Sequence, residues 1–108
     1  VVVTERTPQL LQQDALALLR GRRAEILSLA RRRGVFNLHV FGSVARGEAG
    51  AASDFDFLAE LDPGRTLIDL GGLQIDLQEL LGRRVDLIEP ATLRPQIRRR
   101  ILAEAVAL

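Results

Sequence analysis

Apolar residues recur along this chain in two rhythms, a helical one near both ends and through residues 67–81, and a strand-like one between. Thr7-Pro8 reads as an N-cap followed by proline at the first helical position, and Leu10, Leu11, Leu16, Leu18 and Leu19 continue as a helical stripe that Gly21 weakens. A second helix is predicted from about Arg22 to Arg33, with Ile26, Leu27 and Ala30 on one face and a stop at Gly34. Its Arg31-Arg32-Arg33 end suits the negative pole of a helix dipole and needs no nucleic-acid explanation. Val35 to Phe41 is β-rich and ends abruptly at Gly42, and Asp54 to Leu61 alternates polar with apolar as a second strand. Asp62-Pro63-Gly64 is a turn. Leu67 to Leu81 carries Leu70, Leu73, Leu77, Leu80 and Leu81 at helical spacing and closes at Gly82. Within it Gly71-Gly72 should cost about 1 kcal/mol each against alanine, so the helix either meets a close neighbour there or is broken. Arg84 to Ile88 is a short third strand ended by Pro90. A last helix runs from about Thr92 or Arg94 to Val106, with Ile97, Ile101, Leu102 and Ala105 on one side and Arg98, Arg99 and Arg100 mostly on the other.

This order, helix, helix, strand, strand, helix, strand, helix, predicts an α/β (α+β) fold. About three strands form a mixed sheet, packed against helices on one face, with N-terminal helices leading in. A length of 108 residues implies a single globular unit. Residues 22–108 are expected to form it and residues 1–21 a helical extension, with no room for a separate acceptor-binding domain. Hydrophobic residues at 47% and charged residues at 27% are ordinary globular values. No apolar run approaches the roughly 20 residues that span a bilayer, and Val1–Val3 is too short for a secretory core, so a cytoplasmic protein is expected.

Charge and residue usage then narrow the chemistry. A net charge of +1 gives no support to direct nucleic-acid binding. The absence of cysteine excludes disulfides and thiolate metal sites. Every basic residue is arginine, which removes Schiff-base chemistry and the lysine of a Walker-type phosphate loop. Gly42 to Gly47 matches the start of such a loop, but Glu48 and Ala49 stand where lysine and Ser/Thr are required.

The candidate chemistry lies in two neighbouring pieces, Gly42-Ser43-Val44-Ala45-Arg46-Gly47 after the first strand and Ser53-Asp54-Phe55-Asp56 at the start of the next. Alternate strand residues share a face, so Asp54 and Asp56 project together. Two such carboxylates repel unless a cation lies between them, and an oxygen-only pair suits magnesium. Gly42 permits a sharp turn. Ser43 then opens a short helix whose N–H groups and hydroxyl can hold a triphosphate, with Arg46 one turn on as a further phosphate contact. Asp86 is polar within an apolar strand. If that strand lies beside the Asp54–Asp56 strand, a third carboxylate completes a two-metal site.

Gly42-Ser43-Val44-Ala45-Arg46-Gly47, then Ser53-Asp54-Phe55-Asp56, then Val85-Asp86 resembles the signature of the polymerase β-like nucleotidyltransferase superfamily. The form is most similar to that of the minimal nucleotidyltransferase proteins of prokaryotes, and the likeness covers roughly Arg22 to Val106. The resemblance implies an antitoxin paired with a HEPN-domain toxin, which it neutralises by transferring AMP from ATP to a tyrosine of that toxin, as part of a hetero-oligomer. On this basis Asp54, Asp56 and Asp86 are the expected catalytic and Mg2+-binding residues, with two ions expected, and Gly42, Ser43, Arg46 and Ser53 are expected to bind the nucleotide. Two other readings remain at this level: an antitoxin that masks its toxin without catalysis, and a small-molecule nucleotidyltransferase of antibiotic-modifying type completed by another subunit. His39, the one histidine, is expected to be structural or superficial, and Glu60, Asp62 and Glu89 to serve turns and solvation.

Overall fold

The computed structural model describes residues 15–48 and 53–108. The predicted helix start at Thr7-Pro8, with Leu10 and Leu11, lies outside the described residues.

The first helix, α1, covers residues 15–21 and gives way at Arg22, whose N–H is shared between the Leu18 and Leu19 carbonyls. It is followed by α2 (Arg23–Arg32), β1 (Val35–Phe41), α3 (Gly42–Ala45), β2 (Phe55–Leu61), α4 (Leu67–Leu81), β3 (Val85–Ile88), a 3-10 turn (Pro90–Thr92), α5 (Pro95–Glu104) and β4 (Val106–Ala107). The sheet order is β3-β2-β1-β4. β1 runs antiparallel to both β2 and β4, and β2 runs parallel to β3.

Most of the core lies on one face of this sheet. Phe55, Phe57 and Ala59 of β2, Leu38 and Val40 of β1, and Val85 of β3 meet Ala15 and Leu19 of α1, Ile26 and Ala30 of α2, and Leu70, Leu73 and Leu77 of α4. Full burial of a side chain such as Phe55 or Phe57 stabilises by about 1.5–3 kcal/mol, and both are completely buried. On the opposite face Phe41 and Leu58 are also buried, and α5 lies against β1 and α3. That second covering is partial, because Asp56 and Glu60 on the same face keep some exposure.

The sheet has four strands where about three were expected. The last helix stops at Glu104, Ala105 adopts extended backbone, and Val106 and Ala107 pair with Val40 and His39. The gain comes from the backbone: the free edge of β1 offers hydrogen-bond partners that a further helical turn would leave unused. α5 begins with Pro95 at its first position, where a missing N–H costs nothing.

α4 runs unbroken through Gly71-Gly72. The Arg33 guanidinium lies over Gly72, where a Cβ would come within 2.5 Å of Nη1, and its Nε reaches Asp76 at 3.2 Å. The helix is capped at both ends. Thr66 and Asp69 form a reciprocal capping box, and Gly82 closes the helix in the left-handed conformation at φ 67°.

Candidate active site

β1 and β2 run in opposite directions, so the end of β1 meets the start of β2, and the parallel β3 begins at the same edge. Phe41 pairs with Asp56, and Asp56 pairs in register with Asp86. Residues in register on neighbouring strands share a face, as do alternate residues of one chain. Asp56 and Asp86 therefore lie on one side of one end of the sheet, the side away from the main core, and Asp54 comes just before β2 at the same end. The strand adjacency on which Asp86 depended is present.

α3 rises directly from Phe41 beside these carboxylates. Gly42 has φ +75°, and a Cβ there would collide with Asp56 Oδ2. Glycine is thus required twice, by backbone conformation and by the approach of the carboxylate. Val44 is buried and anchors the turn, while Ser43 beside it stays half-buried.

The acidic groups act on one another through charge. The Asp56 carboxyl titrates above the ordinary carboxylate range, chiefly because burial penalises its charge and further because Asp86 and then Asp54 repel it; Arg46 acts in the opposite sense. Among the described residues no three acidic or histidine side chains converge tightly enough to enclose a metal ion. The aspartates feel one another's charge without meeting at a point. Their chemistry still fits magnesium: an all-oxygen donor set, and mutual repulsion that a cation would relieve.

Two further residues enter from elsewhere in the chain. Glu104, the last residue of α5, accepts the Gly42 N–H at 3.2 Å through Oε1 and receives Arg46 Nη1 on both oxygens, at 3.2 and 3.3 Å. Arg46 also donates to Glu48 at 3.0 Å, and these partners, Glu48 first, hold its guanidinium still more firmly protonated. Arg83, in the turn before β3, donates to the Ser53 carbonyl through Nε at 3.1 Å and Nη2 at 2.6 Å, with its guanidinium carbon 4.4 Å from the centre of the Phe55 ring. Sequence patterns did not single out either residue. Each acts across 30 or more positions, and nothing local to Glu104 or Arg83 marks the contact. His39 Nδ1 lies 3.0 Å from the Asn37 carbonyl oxygen, and Glu60 accepts from Asn37 Nδ2 at 2.6 Å, so both make contacts local to the strands.

Residues 23–108 match the family model described as the nucleotidyltransferase domain. The chain belongs to the nucleotidyltransferase domain family. A protein assigned as a protein adenylyltransferase in Methanocaldococcus jannaschii is 39% identical over 76% of this chain and 88% of its own length. The protein adenylyltransferase MntA of Thermococcus cleftensis is 40% identical over 72% of this chain and 79% of its own length. A solved structure assigned as a minimal nucleotidyltransferase superposes with TM-score 0.78 at 47% identity, covering 86% of this chain and 95% of that one. A toxin–antitoxin structure with AMP-PNP shares the fold at TM-score 0.66 and 20% identity, over 78% of this chain and 69% of that one. The nucleotidyltransferase match begins at α2 and takes in both motif pieces and Asp86. It makes this chain a transferase of nucleotidyl groups, built on an α+β fold with a four-stranded mixed sheet.

Proposed function

We propose that this nucleotidyltransferase is an antitoxin that transfers AMP from ATP to a tyrosine hydroxyl of a partner HEPN-domain toxin. The observation that carries the reading is the in-register pairing of Asp56 with Asp86, with Asp54 just before β2 at the same end and Gly42 packed against Asp56. Two relatives near 40% identity are named as protein adenylyltransferases, which favours a protein acceptor. The toxin–antitoxin structure with AMP-PNP favours ATP and a toxin partner through the fold.

In this reading Asp54, Asp56 and Asp86 would hold magnesium, two ions in all, and the metal would supply positive charge to the α-phosphate and the acceptor oxygen. Ser43, through its hydroxyl and the N–H groups of its turn, holds the triphosphate. Arg46 exchanges a carboxylate partner for phosphate, which its planar fork accommodates in two parallel bonds. Ser53, at the head of the second motif piece, would also contact the nucleotide. The tyrosine oxygen attacks the α-phosphorus in line, the α–β phosphoanhydride bond breaks, pyrophosphate leaves, and the phenolic proton departs with help from Asp86. Positioning and electrostatics carry the rate, because no side chain acts as nucleophile. Residues 22–108 form the transferring unit, residues 1–21 extend it, and partner and chain assemble as a hetero-oligomer in the cytoplasm.

The test is incubation with α-labelled ATP, Mg2+ and the product of the neighbouring gene. Label on a tyrosine of that partner is expected. Binding without label would overturn the transferase reading.

A further inference from the structure

We infer that Arg83 is a positioning residue for Asp54, coupling the two strand ends that carry the carboxylates. The inference rests on the reading of Asp54 as a metal ligand.

Asp54 stands one residue before β2 begins, so the strand ladder does not fix it. The first link at this end is Phe55 N–H to the Arg84 carbonyl at 2.9 Å. Arg83 touches the residues on either side of Asp54. Nε and Nη2 both donate to the Ser53 carbonyl, before Asp54, and the guanidinium plane rests on the ring of Phe55, after it. Phe55 is fully buried and therefore a rigid platform.

The root of Arg83 is fixed just as firmly. Gly82 before it caps α4 through a 2.8 Å bond to the Gln78 carbonyl. Gln78 Oε1 then accepts the Val85 N–H at 3.2 Å, at the start of β3. One guanidinium therefore spans from the α4–β3 turn to the approach to β2, three residues before Asp86 and beside Asp54. Its work needs arginine: two N–H groups aimed at one carbonyl while a planar cation stacks on a ring is a task that lysine, a point charge on a flexible stem, cannot reproduce. Groups that orient metal ligands in this manner commonly change metal affinity by about 10–100-fold when altered.

The experiment compares wild type, Arg83→Lys, Arg83→Met and Asp54→Asn by Mn2+ titration, following the free-ion paramagnetic signal, alongside thermal unfolding. Arg83→Lys, the variant that keeps charge and most of the stem, is expected to remain folded and to bind Mn2+ about tenfold more weakly. The Mg2+ concentration giving half-maximal transfer should rise in step, with a smaller change at saturating Mg2+. Lowered melting temperature with unchanged Mn2+ affinity in both Arg83 variants would make the clamp purely structural and overturn the inference. Asp54→Asn separates the two layers. If it too binds Mn2+ like wild type, the metal role of Asp54 fails and the inference with it; if it loses Mn2+ while the Arg83 variants do not, only the inference fails.

Discussion

Asp56 carries a cost that its surroundings impose on it. It is partly buried, lies near two other aspartates, and holds its proton more tightly than a free carboxyl, whose ordinary value is 3.8. A carboxyl whose folded value lies above its unfolded one favours the folded state at low pH, and that contribution is lost as pH rises through the folded value. Asp56→Asn should therefore raise the melting temperature in EDTA at neutral pH while abolishing transfer, and the gain should shrink as the pH is lowered towards 3.8. Equal melting temperatures across that range would contradict the account. At Gly42 the expectation is reversed. Gly42→Ala places a side chain at φ +75° against Asp56, with a backbone penalty of about 1–2 kcal/mol before the collision is counted. Denaturant unfolding should show at least that loss, together with loss of transfer.

At the scale of elements, the terminal helix is wired to the phosphate turn through Glu104. A carboxylate that already accepts the Gly42 N–H and binds Arg46 competes with an incoming triphosphate for both. Glu104→Gln removes that charge while keeping an acceptor in place, and the KM for ATP should fall several-fold. A raised KM would mean that Glu104 orders the turn instead. Elements were legible in the sequence where their signal is local. The leucines of α4 repeat at helical spacing, and Gly82 punctuates by backbone geometry alone. The motif glycine and the paired aspartates were visible for the same reason. β4 was not: two residues, Val106 and Ala107, carry no alternation, and their pairing with Val40 and His39 is decided by an edge nearly 70 positions upstream. The Glu104 and Arg83 contacts were hidden likewise, because side-chain pairs distant in sequence leave no periodic trace.

Across the whole molecule, helices α1, α2 and α4 secure one face of the sheet, and Asp56 and Asp86 lie partly exposed at one end of the other face. No described helix is long and apolar enough to cross a membrane. The proposed function makes a demand at this scale. If catalysis neutralises the toxin, Asp54→Asn with Asp56→Asn should abolish protection of cells expressing the partner while the complex still forms. Protection that survives would show that masking suffices. Sequence could specify the family and the carboxylates but not their assembly, since the adjacency of Asp56 and Asp86 depends on strand order, a property of the folded sheet rather than of either segment.

One irregularity in β1 has reach beyond its own strand. The pairing with β2 slips between Phe36 and His39, and Asn37 sits there at φ 53°, a conformation that asparagine tolerates better than most residues. Val35 at 2% exposure and Phe36 at 44% face opposite ways to what unbroken alternation from Val40 would require. Asn37 thus acts as a phase joint. The upstream half of the strand keeps time with α2, and the downstream half keeps time with Asp56 and the Gly42 turn. In an unbroken strand, burying Val35 against the core would turn Val40 and the Gly42 end over to the wrong side of the sheet.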